Sequence, residues 1–594
     1  MRFLLVTLLF FLTFSLQAQN IALAQNYFEQ GEFEKAVSIY EKAYEKNPRN
    51  IQLLKAYVEA LQAIEDYATA EKVLLKQVEN AQNHPQFLVA LGLNYQMQNN
   101  SAEATNYFNK AINVVDKNPA YAYSIGREFQ MNGFLDEAIA TYTKALEKQD
   151  NKTFNLELAN IYGEKGELQQ MFDRFIDVLE QDPKLSYHVK FIISDYITED
   201  KENEANEVLR KTLLIRNQQA PNVLYNEFLS WLYLNQKEYL KAFTQEKAIY
   251  LRSQSQNTNP MLEIGDLAAE ENKTEEAKEI YDYVIEVSEI PGKKIYPLVR
   301  KLRLAIAHSK KENEVEAAFQ KAFEYFPNDN FFQDHLNYEY AKFLAFKKKE
   351  TTTALEKLNY IFENTQNDAF FKASVKMTIA DIYLQQEKFN QALLAYSQVQ
   401  KIAENTELAQ EATFKIAKTS FYTGDFDWAK MQLKILKTAT SKLIANDALH
   451  LNVLISTNTS EDSLQTALKK FAKADLLQFQ ENYDQALTVL DDLLTHHKGD
   501  QIEDDAWFKK AKILETQQKY DAAIQAYEQI KTVTQNSIYL DDVYFFVGKI
   551  YENHLQKPEL AKENYERIIF DHQDSIYFTE AQKKYRLLRG DNIQ

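Results

Sequence analysis

Small and large apolar residues alternate with polar ones at helical spacing, in blocks of about 34 residues. The first block, Ala24 to Pro48, reads AQNYFEQGEFEKAVSIYEKAYEKNP. If Ala24 is numbered as position 8, small residues occupy positions 8, 20 and 27, tyrosines occupy 11 and 24, and Gly31 occupies 15. Residues three or four apart share one face of a helix. The block therefore predicts two amphipathic helices joined by a turn at position 15, where glycine can adopt a left-handed conformation.

The same pattern of numbered positions, called the grid below, recurs along almost the whole chain. Nine clear units have position 8 at Ala24, Val58, Gly92, Gly126, Ala159, Ala380, Ala417, Ala511 and Gly548. Gly265 and Ala474 mark two fair units, and Ile193, Ser230 and Ala341 mark degenerate ones. Small side chains at positions 8 and 20 allow two antiparallel helices to approach closely, while the large residues fill the space around them.

This pattern resembles the tetratricopeptide repeat, a helix–turn–helix unit of 34 residues. The resemblance implies an all-α fold: a right-handed superhelical solenoid of antiparallel helix pairs, here as two arrays with an irregular joint. It also implies binding of proteins or peptides rather than chemistry.

The regularity of the grid predicts how the chain is divided. We expect an N-terminal array over residues 19–285, degenerate helical repeats that form a joint over 286–365, and a C-terminal array over 366–569. A capping helix and tail should occupy residues 570–594, because the last unit of a solenoid has no neighbour to cover it.

The N-terminus predicts export. Arg2 precedes an apolar run from Phe3 to Leu16, too short to span a membrane. Residues 1–18 are therefore predicted to be a signal peptide, with the mature protein starting near Gln19 and residing in the periplasm or another extracytoplasmic space. We expect no membrane span in the mature chain.

Composition and charge exclude several classes of function. The formal net charge is −18 and no basic stripe offsets it, so no nucleic-acid partner is expected. The chain has no cysteine, which excludes disulfides and thiolate chemistry. The sequence contains no catalytic motif, glycine-rich phosphate loop or paired-histidine metal motif, so we predict a non-enzymatic protein without cofactor or metal.

The resemblance also implies where a partner binds. In such solenoids the inner face is lined by the first helix of each pair, at positions 2, 5, 9, 12 and 13. Position 5 is aromatic and position 9 basic in five units: Tyr123/Arg127, Tyr338/Lys342, Phe414/Lys418, Phe508/Lys512 and Phe545/Lys549. Because residues four apart share a helix face, each cation can lie over its ring.

These pairs have two interpretations. They form a track for an extended peptide with acidic side chains or a free carboxylate, or they only stabilise their own helices while the rings pack between units. The leading hypothesis is an exported scaffold that binds a peptide or protein partner in the cell envelope. The alternative is an exported helical protein that binds a nutrient saccharide.

Overall fold

Helices make up almost all of the described chain. The structure, a computed structural model, describes residues 21–80, 84–149, 151–253, 256–309, 311–327, 329–439, 441–459, 465–533 and 537–591. These residues contain no β-strand, and successive helices pack as antiparallel pairs, so the predicted all-α repeat fold is confirmed. The predicted signal peptide, residues 1–18, lies outside the described residues.

The chain divides into two compact units, one ending at Glu238 and the other beginning at Tyr239. The array boundaries inferred from the grid remain predictions. Unit 1 contains the following helices: α1 (21–29), α2 (Phe33–Lys46), α3 (Ile51–Ala63), α4 (Tyr67–Asn80), α5 (Gln86–Met97), α6 (Ser101–Val114), α7 (Ala122–Met131), α8 (Leu135–Leu146), α9 (Lys152–Glu164), α10 (Leu168–Gln181), α11 (Ser186–Ile193), α12 (Glu204–Gln219) and α13 (Val223–Asn235).

Unit 2 continues the helical pattern. Its helices are α14 (Tyr239–Ser253), α15 (Asn259–Glu270), α16 (Thr274–Val287), α17 (Pro291–His308), α18 (Glu312–Phe323), α19 (Asn330–Phe346), α20 (Thr351–Asn364), α21 (Ala369–Gln385), α22 (Phe389–Ile402), α23 (Glu407–Thr423), α24 (Phe426–Ile435), α25 (Lys442–Asn458), α26 (Thr466–Phe479), α27 (Tyr483–His496), α28 (Glu503–Thr516), α29 (Tyr520–Val533), α30 (Leu540–Asn553), α31 (Pro558–Asp571) and α32 (Phe578–Arg589). Short 3₁₀ helices span Pro119–Tyr121, Pro183–Leu185 and Leu436–Thr438.

Contact between position 8 and position 24 sets the spacing of each pair. Gly126 on α7 faces the buried ring of Tyr142 on α8, and a methyl group on Gly126 would lie 2.4 Å from Cζ of that ring. Gly548 and Tyr565 repeat the arrangement in α30 and α31, where the methyl group would lie 2.8 Å from Cε1 of the ring. A larger residue at position 8 would therefore force the two helices apart.

The turn at position 15 is left-handed in most units. The predicted turn glycines have positive φ: Gly31, Gly133, Gly166 and Gly424. The same position also has positive φ where another residue occupies it: Glu65, Asn99, Lys237, Asn272, Glu387, Glu481 and Gln518. The geometry of the helix pair imposes this conformation even on residues that favour it poorly.

Two segments depart from the regular pattern. The stretch after residue 286 forms a continuous helix, α17, that begins at Pro291 and includes Pro297. Helix α25 is a single helix between two regular pairs. Helix α32 packs against α31 with Ala581 buried, and its role as a capping helix stays a prediction.

Replacing Gln518 with glycine should stabilise unit 2. Gln518 is exposed and has φ +59°, a conformation that strains any residue with a β-carbon. We expect the free energy of unfolding to rise by about 0.5–1 kcal/mol in denaturant titrations. Gln518→Ala, which keeps the β-carbon, should give no gain, and Gly133→Ala should lower stability by a similar amount. Equal effects of the two Gln518 variants would show that the turn is not strained.

Candidate partner-binding site

The predicted pairs lie on first helices, as the grid requires. Four occupy α19, α23, α28 and α30 of unit 2, and the fifth, Tyr123/Arg127, occupies α7 of unit 1. We call the side of α19, α21, α23, α26, α28 and α30 that carries positions 2, 5, 6, 9, 12 and 13 the first-helix face of unit 2.

The aromatic members in unit 2 pack between successive repeats. Phe508 stacks on Tyr539 with ring centroids 4.5 Å apart, and Phe545 stacks on Tyr577 at 4.1 Å. Phe545 is buried, while Tyr338 is half-buried, with its hydroxyl 3.0 Å from the Thr378 hydroxyl. These rings therefore stabilise the stack, and little of their area is left for a partner.

The cations follow the expected pairing in part. Lys342 lies over Tyr338 and Lys549 over Phe545, 5.3 and 5.4 Å from the ring centroids. Lys512 instead lies 3.6 Å from the centroid of Phe546, on the next first helix.

In unit 1, the pair on α7 is more open. Arg127 Nη1 donates to Tyr123 Oη at 3.2 Å, and Tyr123 is 40% exposed. Arg127 is exposed, and the described part of the chain places no carboxylate within ion-pair distance of its guanidinium.

Lys418 has a different role from the other cations. Its Nζ lies 3.1 Å from the carboxylate of Asp475, which also binds Lys509 at 2.6 Å and accepts from the Tyr422 hydroxyl at 3.0 Å. Burial alone would raise the pKa of Asp475, but the two ammonium groups outweigh it and hold that pKa below its usual range. Lys418 therefore joins α23 to α26. Its predicted ring partner, Phe414, packs against an apolar cluster to which both helices contribute buried residues.

A ladder of carboxylates on first helices was missed by sequence reasoning. At position 9 of three first helices an aspartate replaces the expected cation, and it binds a cation 34 residues further along, on a later first helix. In two cases it also accepts from the tyrosine at position 24 of its own pair. The contacts are Tyr281 (2.8 Å) and Arg300 (2.5 Å) on Asp266, Tyr396 (2.6 Å) and Lys415 (2.8 Å) on Asp381, and Lys509 (2.6 Å) on Asp475. The 34-residue spacing of opposite charges was the available signal.

Helix α25 packs against α23 and α24 on one side and against the first-helix face of α26 on the other, and its side chains reach α28 and the residue before α30. Its buried Leu451 and Ile455 belong to one apolar cluster with Leu468 and Phe471 of α26. Polar contacts extend further: His450 Nε2 and the hydroxyl of Tyr539, just before α30, are 2.9 Å apart.

The same hydroxyl connects α25 to α28. Tyr539 donates to Asp505 Oδ1 at 2.5 Å, and the side chain of Asn458, at the end of α25, lies close to that carboxyl group. Because Tyr539 donates to Asp505, it accepts from His450, which places a proton on Nε2.

The carboxyl group of Asp505 titrates near neutral pH. Burial raises its pKa to about 7. The hydrogen bond from Tyr539 lowers the pKa, and the negative charge of neighbouring Asp504 raises it, both by less than burial does. Burial and the nearby Lys509 ammonium lower the pKa of His450. The contact between α25 and α28 therefore contains a carboxyl group that gains a proton more readily in the folded chain than in the unfolded chain.

No group of three or more histidine, aspartate and glutamate side chains in the described ranges is arranged to hold a metal ion. None of the helices in those ranges combines the length and the apolar character needed to cross a membrane.

Comparison with known families agrees with the repeat geometry. Tetratricopeptide-repeat models match residues 27–92, within the first helix pairs of unit 1, and residues 471–536, around α26 to α29 of unit 2. The chain therefore contains tetratricopeptide repeats in both units. Such repeats are typical of protein-interaction scaffolds and of proteins without catalytic activity. No curated protein matches the sequence.

Several solved structures are similar to this chain at low sequence identity. One, described as Naa15/Naa10 bound to HypK-THB, has 12% identity and a TM-score of 0.30, with 97% of this chain and 96% of that chain covered. The apo form of RapI has 14% identity and a TM-score of 0.28, covering 56% and 96%. The Cut9-Hcn1 hetero-tetramer of APC/C has 13% identity and a TM-score of 0.22, covering 95% of each chain.

Replacing Asp505 with asparagine should stabilise unit 2 at high pH. The folded-state pKa of about 7 lies above the ordinary 3.8, so the folded chain binds the extra proton and loses stability as pH rises from about 4 to about 7. Asparagine keeps hydrogen-bonding atoms and has no such proton to lose. Denaturant unfolding followed by tryptophan fluorescence should show an advantage that grows over this range and reaches roughly 2–4 kcal/mol above it.

Asp521→Asn on α29 is the matched control, since Asp521 is exposed. It should show no pH-dependent advantage. A difference between Asp505→Asn and the wild type that stays constant with pH would contradict the raised pKa.

Proposed function

We propose that this protein is an exported, non-enzymatic scaffold that binds a peptide or protein partner in the cell envelope. The partner is expected to present acidic side chains or a free carboxylate to cations of the first helices. The tetratricopeptide repeats support the scaffold class, and the sequence of residues 1–18 is the basis for export.

The position of Lys549 carries the proposal. Lys549 lies on the first-helix face of α30, and the described residues place no carboxylate within ion-pair distance of its ammonium group. Most first-helix cations nearby do have such a partner: Lys509 binds Asp475 and Lys584 binds Glu552. In a chain of net charge −18, a cation beside an aromatic ring and without a carboxylate is suited to an acidic ligand.

Lys512 extends the same surface by one repeat. It lies over Phe546 and within 3.2 Å of Glu515, on the same helix, with about a third of its side chain exposed. Pairs of this kind on an exposed helix face contribute only about 0.3–0.5 kcal/mol, so a carboxylate of the partner can replace Glu515 at low cost. Lys512 and Lys549 together give two contacts on adjacent repeats.

Reversing both charges should abolish partner binding. Lys512→Glu/Lys549→Glu removes two attractive contacts and adds two repulsive ones, so proteins captured from envelope extract of the native host should fall to background. Lys401→Glu/Lys498→Glu is the matched control, because it makes the same charge change at exposed positions on a second helix and in a loop. Quantitative mass spectrometry of the captured proteins provides the measurement.

Undiminished capture by the Lys512/Lys549 variant would show that the partner binds elsewhere. Binding of a saccharide in a calorimeter, unaffected by either double substitution, would instead favour the nutrient-binding alternative.

Export is tested at the N-terminus of the protein purified from its host. We expect the mature chain to begin near Gln19 and to fractionate with extracytoplasmic proteins, because the apolar run ends at Leu16. N-terminal sequencing and intact mass give the start site. A chain that retains residues 1–18 in the cytoplasmic fraction would exclude export.

A further inference from the structure

Helix α25 breaks the rule that a repeat contacts only its neighbours. In a solenoid, each helix pair packs against the pair before and the pair after it. His450 on α25 nevertheless reaches Tyr539, 89 residues later and just before α30. In sequence, two complete helix pairs separate α25 from α30.

Helix α25 lies between the preceding pair, α23 and α24, and the first helices that follow it. Its apolar side, with Ala448, Leu451 and Ile455 at helical spacing i, i+3 and i+7, lies in a cluster that includes residues of α23 and α24 and the first-helix residues Leu468 and Phe471 of α26. An amphipathic helix that places such a stripe on a partner surface is a common mode of peptide recognition.

Polar contacts fix how far α25 extends along this face. His450 hydrogen-bonds Tyr539, and the side chain of Asn458 lies beside Asp505 of α28. Both contacts are between side chains, and neither depends on the covalent connection between α25 and the rest of unit 2.

The fit of α25 is incomplete. The side-chain oxygen of Asn452 is buried without a hydrogen-bond partner, which costs roughly 1–3 kcal/mol in general. On its outer side, Leu449 and Val453 are exposed, at 55% and 41%. A better-matched helix would therefore compete with α25 for the same contacts.

We propose that the first-helix face of α26, α28 and α30 binds an amphipathic helix of the partner, and that α25 occupies this groove in the free protein. The inference rests on the proposed scaffold function and adds the conformation of the ligand. The partner helix presents apolar residues at i, i+3 and i+7 and polar side chains to Tyr539 and Asp505. Its acidic groups can then reach Lys512 and Lys549, further along α28 and on α30.

The probe is a fluorescent peptide of residues 441–459, which includes all of α25, added to the full-length chain. Wild-type protein should bind it weakly, because the tethered helix has a high effective concentration. The His450→Ala/Asn458→Ala variant, called the latch variant, loses the two side-chain contacts that hold α25 against Tyr539 and Asp505, but keeps Tyr539 and Asp505 for the peptide. We expect this variant to bind the peptide about tenfold more tightly in anisotropy titrations.

Two controls define specificity. Asn446→Ala/Ser456→Ala alters the exposed side of α25 and should bind the peptide as the wild type does. A peptide carrying the same two alanines as the latch variant should lose the tenfold gain. Circular dichroism of each protein variant checks that the helical content is unchanged.

Hydrogen exchange locates the bound peptide. In the latch variant, residues 442–458 of the protein should lose protection when an isotope-labelled peptide binds, while α28 stays protected. Binding without that loss, or equal binding by wild type and latch variant, would overturn the proposal. If the peptide result fails while partner capture still depends on Lys512 and Lys549, the helical ligand is wrong and the scaffold function stands.

Discussion

The contact between a small residue at position 8 and a large ring at position 24 determines how closely each helix pair packs. Gly126 against Tyr142 and Gly548 against Tyr565 leave no room for even one methyl group. Close packing of this kind gains dispersion energy over the whole ring and tolerates little change in volume. The same spacing requires a tight connection, which explains why position 15 is left-handed even where Gln518 replaces glycine.

Repetition of that spacing also organises the polar groups. When consecutive pairs stack at a constant interval, position 9 of one first helix faces position 6 of a following one. Asp381 and Lys415 meet in this way, and so do Asp475 and Lys509. Partly buried ion pairs are geometrically demanding and weak as a source of net stability. Their effect here is to fix the register of neighbouring first helices.

Local features of the sequence were sufficient for the fold. Position 8, position 20 and the turn at Gly133 are set by contacts within about 20 residues, which one block of the pattern contains in full. The pairs Tyr338/Lys342 and Phe545/Lys549 were predictable for the same reason, because residues four apart on a helix are always neighbours. The contact of Lys512 with Phe546 depends instead on how adjacent repeats stack.

The candidate site was less predictable because its decisive contacts are distant in sequence. Lys418 and Asp475 are 57 residues apart, on either side of an irregular segment, and nothing in the local pattern distinguishes Lys418 from Lys549. Likewise, the segment that became α25 has no place in the repeat grid, so its docking against α26 and α28 could not be inferred from periodicity.

Helix α25 and the excess of acidic residues both affect the first-helix face of unit 2. In a chain of net charge −18, carboxylates neutralise most cations of the first helices, so the stack satisfies its own charges. Lys549 is an exception within the described residues, and it lies on α30, the helix whose start is contacted by His450 of α25. A regular repeat at the position of α25 would have continued the stack and left the first-helix face of α26 and α28 open. The chain instead covers that part of the face with a helix of its own and leaves uncovered the adjacent part that carries unpaired positive charge. Under the proposed function, one surface then serves two purposes: α25 protects the apolar half from water until a ligand is present, and the charged half attracts that ligand.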